Sequence, residues 1–516
     1  MKTLKLALLA SACAAFAPFA TAQDLTIGIA ASPTSMDPQF YVVGLNSAMA
    51  RNIFDGLVNQ DELQQIQPAL ATSWETVDET TWEFKLREGV NFHDGSSFGA
   101  EDVVASINRV PLAATNSPSS FVPYVEGIAN VEAVDEHTVR ITTDTPTPLL
   151  LNNLSRIAIM PSELEDVPSS TLNGGDKVIG TGPFEFVSWL PDSVVRLSRN
   201  EDYWDGPAEW DNVTYRVFTN SSARVAAMLS GDVDMIESIP TADVSTLRNQ
   251  DGVEVVTQSS NRVMYLHLDQ DRANSPFAAG PDGENPLRDV QVRRAISLSI
   301  NREALVERIM DGQGIPAGQL VPEGYFGHVP EIELDAYDPE RAQELLAEAG
   351  YPDGFDLTFH ASNDRYPNDS LIAQAIGQML TRVGIDTEIV TLPASVYFSR
   401  ASALEFSFIM GGAAVETGEA SGGLGPLLEI YGETSGQGNR GRYSSEAFDQ
   451  ALQTARMIID DAERKALLEE AMRIAMDDLG VIPVFFLANT WAIEDGLSFE
   501  GRSDGYTLAY DVKGAQ

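Results

Sequence analysis

Hydrophobic periodicity changes repeatedly between residues 338 and 417, and the elements it predicts there alternate between helix and strand. Asp338-Pro339 provides an N-cap acceptor followed by proline at the first helical position, where its missing N–H costs nothing. Gly350 closes that helix as a left-handed cap. The apolar run 357–360 predicts a strand, 368–383 a helix closed by Gly384, and 385–392 a second strand. A short helix over 395–403 and a third strand over 406–410 follow. Strands alternating with helices of this length predict a parallel sheet with right-handed crossovers. Ligands of such sheets sit beyond the carboxyl ends of the strands. Here those ends are 361–366, 393–395 and 411–417, which together read as half of a ligand-binding cleft.

Elsewhere the pattern predicts strands over 23–29, 81–87, 137–142, 212–218 and 482–487. The run 81–87 places Trp82, Phe84 and Leu86 on one face, as a half-buried strand requires. Residues 184–198 read as a hairpin turning at Leu190-Pro191-Asp192-Ser193. Helices are predicted over 47–57, 100–109, 221–230, 287–300, 302–310 and 463–478. Segment 271–286 holds Pro276, Gly280, Pro281, Gly283 and Pro286 and reads as the linker between two lobes.

Composition narrows the function. Thirty-three basic and 76 acidic residues among 516 give a formal charge of −43, so polyanions are repelled and nucleic-acid binding is excluded. Residues 1–22 read as a signal peptide: a basic start through Lys2 and Lys5, an alanine-rich apolar run, and the small-x-small end Ala20-Thr21-Ala22. Cys13, the one cysteine, lies inside that segment. A competing reading takes Ala10-Ser11-Ala12-Cys13 as a lipoprotein signal that keeps a lipidated Cys13. No later run approaches the ~18 apolar residues of a membrane span. At roughly 150 residues per domain the length suits about three domains or two large lobes.

Catalytic constellations are missing. The five histidines, His93, His137, His267, His328 and His360, show no i,i+4 metal pair. There is no Gly-x-Ser-x-Gly elbow, no phosphate loop and no dinucleotide fingerprint. The sequence therefore predicts no enzyme, no catalytic residue, no cofactor and no metal.

Several motifs, in order, carry a family resemblance. Leu86-Arg87-Glu88-Gly89-Val90-Asn91-Phe92-His93-Asp94-Gly95, with Ala100-Glu101-Asp102-Val103-Val104 after it, resembles the signature of family 5 bacterial extracellular solute-binding proteins. Gly180-Thr181-Gly182-Pro183-Phe184, Arg199-Asn200-Glu201-Asp202-Tyr203-Trp204, Leu229-Ser230-Gly231-Asp232-Val233-Asp234, Val292-Arg293-Arg294-Ala295-Ile296 and Ile482-Pro483-Val484 match further motifs. The resemblance implies an α/β, two-lobe periplasmic binding protein fold with a small inserted third domain and the ligand in the inter-lobe cleft. It implies lobe 1 from 23–58, 180–270 and 481–516, the inserted domain at 59–179, and lobe 2 at 271–480. It also implies that lobe closure captures a small organic solute or short peptide and that an inner-membrane ABC permease receives it. The chain is then a periplasmic monomer.

One family feature is altered. Peptide receptors of the family read Gly-Trp-x-Ala-Asp after the third strand, and the aspartate holds the ligand's ammonium. Here Gly411-Gly412-Ala413-Ala414-Val415 replaces it, and Glu416 and Glu419 are offset. Candidate ligand residues around that segment are Asn363, Arg365, Tyr366, Asn439 and Arg440, with Tyr397 and Trp491 as aromatic walls. Arg365 and Arg440 have the fork geometry for a carboxylate. Gly411, Gly412, Ala413, Ala414 and Glu416 complete the set. Rival readings are a receptor for membrane-bound sensing, an importer receptor for an oligosaccharide or metal chelate, and a secreted hydrolase.

Overall fold

Two long strands, Val253–Leu268 and Ile482–Glu494, run antiparallel through the middle of the largest sheet. The computed structural model describes residues 23–432 and 435–514, so the expected signal peptide and Cys13 lie outside the described residues. One twelve-stranded mixed sheet spans both lobes. On one side of the central pair come Met235–Glu237, Asp24–Ile29, Asn212–Val217, Val194–Arg199 and Phe184–Leu190. On the other come Phe408–Ala414, Asp356–Ser362 and, beyond it, Asp386–Leu392. A separate four-stranded sheet, Ala71–Asp78, Thr81–Leu86, Thr138–Thr143 and Ile128–Asp135, packs under the helix Ala100–Ala113.

The strand–helix alternation forms as the periodicity requires. Asp338 caps the helix Pro339–Glu348 by accepting from the Arg341 N–H, and Gly350 adopts φ +98°. Asp356–Ser362 pairs in parallel with Asp386–Leu392 and with Phe408–Ala414. The third strand differs from its predicted span. It begins at Phe408 and runs to Ala414, so the glycine segment expected as a loop is paired strand. Gly411, Gly412, Ala413 and Ala414 lie opposite Tyr265, Met264, Val263 and Arg262. The cross-strand partners, not local propensity, decide that extension.

The segment read as a linker is tied down. Buried Asp269 accepts from the Arg272 Nε, the Ser275 hydroxyl and Arg442, and Asn285 donates to the Asp269 and Arg272 carbonyls. The two long central strands join the two sides of the large sheet. Val253–Leu268 carries register shifts between Ser259 and Val263 and between Met264 and Tyr265, and bulges of this kind bend a strand.

The family motif around Gly180 proves to be a packing device. Asp55, buried, accepts from the Thr181 hydroxyl at 2.9 Å, the Trp204 indole at 2.9 Å and the Tyr203 hydroxyl at 3.2 Å. The Gly180 N–H donates to His93 Nδ1, and His93 Nε2 donates to the Gly182 carbonyl. Burial pushes the His93 pKa down, which favours this neutral form. The glycines are needed for close approach to the Ile53 backbone.

Candidate functional site

The site is assembled where the polar centre of one hinge strand meets lobe 1. Residues 257–262 interrupt the apolar run of Val253–Leu268, and the bulge there brings Ser260, Asn261 and Arg262 to the lining of a cavity of about 580 Å³. Leu487 to Trp491 line it from the other long strand, joined by Glu237 to Thr241, Met310, Gln313 and Pro367. A second cavity of about 310 Å³ lies against the helix Gly44–Ile53 and the end of strand Asp24–Ile29. Both cavities share Glu237, Ser238, Asp504 and Gly505.

Glu237 is the buried acid of the junction. Its carboxylate accepts from the Ala30 N–H at 3.0 Å and the Thr507 hydroxyl at 2.7 Å. Burial pushes its pKa up against those two bonds and the Arg224 charge. Thr507 in turn accepts from the Trp491 indole at 2.9 Å, so a chain of bonds fixes the tryptophan. Asp504 pairs with Arg502 at 2.8 Å and accepts from the Tyr506 N–H. Gly505 has φ +78°, and a Cβ there would also stand 3.2 Å from the Asn489 amide. Asn489 spans the gap by donating to the Arg502 and Ser503 carbonyls.

The altered glycine segment is filled by a neighbouring ring. A Cβ on Gly412 would stand 2.9 Å from the Tyr366 ring and the Met264 sulfur. The Tyr366 hydroxyl donates to the Gly412 carbonyl at 3.2 Å and accepts from its N–H at 3.0 Å. Val415 is fully buried, with its N–H on the Asn261 carbonyl. Neither nearby acid replaces the family's aspartate: Glu416 pairs with Arg156 at 3.3 Å, and buried Glu419 pairs with Arg464. Gln64 and Asn152 also hold this segment, donating to the Glu416 and Thr417 carbonyls.

The candidate residues separate into groups. Tyr366, Arg365 and Glu416 surround Arg262 electrostatically, and Gly412 and Ala414 lie beside them in the sheet. Arg365 is exposed, with its guanidinium 5.1 Å from the Tyr366 ring; Asn363 is exposed on the same turn. Gly411 and Ala413 continue the paired strand. Trp491 lines the larger cavity. Tyr397 and Asn439 are interior residues, in place of the expected wall and anchor. The Tyr397 hydroxyl donates to the Met410 carbonyl, and the Asn439 amide to the Glu429 and Tyr443 carbonyls. Arg440 lies apart, donating to the Ser402 hydroxyl and standing over the Phe398 ring. Glu237, Arg262, Asn489 and Asp504 escaped the sequence reading. A six-residue polar interruption inside a long apolar run was the available signal for Arg262. Among the described residues no cluster of three or more His, Cys, Asp or Glu could hold a metal ion, and no helix is long and apolar enough to cross a membrane.

Comparison with known proteins agrees with this architecture. The model of bacterial extracellular solute-binding proteins, family 5 Middle, matches residues 65–433. The glutathione-binding protein GsiB of Salmonella typhimurium is 29% identical over 518 residues, covering 95% of this chain and 96% of that protein. Heme-binding protein A of Haemophilus influenzae is also 29% identical, covering 88% and 85%. The Helicobacter pylori periplasmic binding protein DppA in complex with peptide STSA gives a TM-score of 0.71 at 26% identity, covering 96% and 98%. The unliganded open form of the murein tripeptide binding protein MppA gives 0.83 at 24%, covering 96% and 98%.

Proposed function

The chain belongs to the bacterial extracellular solute-binding proteins of family 5, and from that premise we propose that it takes a small peptide-like solute into the larger cavity, between its lobes. As a family member it is the substrate-binding component of an ABC importer and leaves its solute covalently unchanged. One observation carries the solute reading. The larger cavity is lined by Glu237 to Thr241 and Asp504 on one side and by Met310, Gln313 and Pro367 on the other, so a solute there touches both lobes of this reading at once. Contacts made to both lobes exist only when the lobes are closed, which makes closure depend on the solute.

The lobes of this reading are 23–58, 180–270 and 481–516 against 271–480, with 59–179 inserted. Asn363, Arg365, Tyr366, Gly412 and Glu416 form the rim and Trp491 part of the wall. A peptide ammonium has no carboxylate waiting at position 415, because Val415 is interior and Glu416 and Glu419 are already paired. The solute is therefore not gripped in the manner of the family's ordinary peptide receptors. Residues 1–22 direct the chain to the periplasm, where it works as a monomer and meets an inner-membrane permease.

A thermal-shift panel tests this: short peptides, reduced glutathione, heme, oligosaccharides and metal chelates against the mature protein. A true solute at 100 times its Kd stabilises the fold by about 2.7 kcal/mol. A panel in which no compound raises the melting temperature contradicts the reading.

A further inference from the structure

We propose that Arg262 is a specificity-determining residue that selects a carboxylate-bearing solute by binding its carboxylate in the larger cavity. The inference deepens the solute-binding reading above and rests on it.

The other arginines of this chain follow a common pattern. Six of them, Arg109, Arg224, Arg293, Arg302, Arg464 and Arg502, are buried, and each ends on carboxylate, hydroxyl or carbonyl oxygens of the protein. That is the expected outcome, because a buried cation without acceptors is costly. Arg262 breaks the pattern. It is half-buried and lines the 580 Å³ cavity, yet among the described residues its guanidinium has no hydrogen bond and no ion pair; only its backbone N–H is engaged, on the Ser260 hydroxyl. This happens in a chain where acids outnumber bases by 76 to 33, so partners were abundant.

The nearest charges sharpen the point. Arg365 is a like charge, and Glu416, the acid beside Arg262, is already paired with Arg156. Burial lowers the pKa of Arg262, with Arg365 adding to the effect. The other acids of the cavity are also committed: Asp504 to Arg502, and Glu237 to Ala30 and Thr507. Thr241, which opens the helix Thr241–Arg248 with no side-chain cap, adds the positive end of a helix dipole to the same lining. An anionic group entering the cavity therefore meets an arginine whose five donors are free, with a second arginine at the rim. A carboxylate matches that fork in geometry and charge. Its position is fixed by the sheet: Arg262 lies opposite Ala414, at the end of the altered glycine strand. The cation thus stands across the sheet from the segment where the family's anionic anchor for an ammonium is missing.

The test compares wild type, Arg262→Ala and Arg262→Lys by thermal shift and titration calorimetry. The probes are a tripeptide library as free acids, the same library as C-terminal amides, reduced glutathione, neutral oligosaccharides and heme. Free acids are expected to bind wild type, and amides to bind it at least tenfold more weakly. Arg262→Ala is expected to lose about 10- to 100-fold in affinity for the acids, with Arg262→Lys recovering part of it. The melting temperature of ligand-free Arg262→Ala should be unchanged or raised, since no bond is lost. Equal binding of acids by Arg262→Ala, equal binding of acids and amides by wild type, or a lower ligand-free melting temperature with unchanged affinity would each overturn the inference. Binding of oligosaccharide alone, or binding of heme (whose propionates are carboxylates) that Arg262→Ala does not weaken, overturns it while the receptor reading stands. Binding of nothing in the panel removes the receptor reading itself.

Discussion

Replacing Asp37 by alanine is expected to lower the stability of the folded protein by about 3–5 kcal/mol, the usual cost of stranding one member of a buried ion pair. Asp37 and Arg109 are each 1% exposed. The guanidinium donates to both carboxylate oxygens, at 3.0 and 2.7 Å, and to the Leu164 and Val167 carbonyls. The same carboxylate accepts from the Ser169 hydroxyl and the Gln39 N–H. The pair thereby staples the segment after the strand Asp24–Ile29 to the helix Ala100–Ala113. Removing the acid leaves a cation in the interior with only neutral acceptors. Removing both partners, as Asp37→Leu with Arg109→Met, should cost less than the single change, because no charge is stranded. Urea unfolding midpoints of the three proteins measure this; equal midpoints for wild type and Asp37→Ala would refute it.

The second large effect is steric. Gly180→Ala is expected to cost about 3 kcal/mol, at the upper end of overpacking. A Cβ at that position would stand 2.1 Å from the Ile53 carbonyl oxygen and 2.8 Å from the Phe54 ring. Neither neighbour can withdraw easily. The Ile53 carbonyl also accepts from the Gly182 N–H at 2.9 Å, and Asp55, two residues on, holds Thr181, Tyr203 and Trp204. Gly127→Ala is the matching control. Its φ is +83° but nothing lies within 4 Å of the added methyl, so only backbone strain of about 1 kcal/mol applies. A midpoint for Gly180→Ala no lower than that of Gly127→Ala would contradict the packing account of the motif.

Local signals made much of the second lobe legible. The Asp338-Pro339 start, the Gly350 and Gly384 stops and the apolar runs between them specify their elements within a few residues, so the parallel order of Asp356–Ser362, Asp386–Leu392 and Phe408–Ala414 could be read from alternation alone. The long hinge strand Val253–Leu268 was not legible. Its polar centre breaks the period-2 pattern, and its pairing comes from partners well over a hundred residues away. The strand character of Gly411–Ala414 was hidden for the same reason, since glycine and alanine carry little strand propensity. The family motifs proved legible as landmarks but not as roles: the Gly180 segment is held by His93 and Asp55, which no local spacing reveals.

The candidate site was legible in part. Arg365, Tyr366, Gly412 and Glu416 gather near Arg262 because three strand ends meet there. Tyr397 and Asn439 look like ligand residues in sequence, being polar and close to strand ends, yet the interior of lobe 2 uses their hydrogen bonds. Glu237 and Asp504, which line both cavities, come from segments far from that run, so no single stretch of sequence displays the whole lining.

Small-angle scattering of the mature protein, alone and saturated with a compound that raises its melting temperature, tests lobe closure most directly. The account predicts a smaller radius of gyration in the saturated sample, with the compound recovered intact. An identical scattering profile at saturation, or a chemically changed compound, would contradict it.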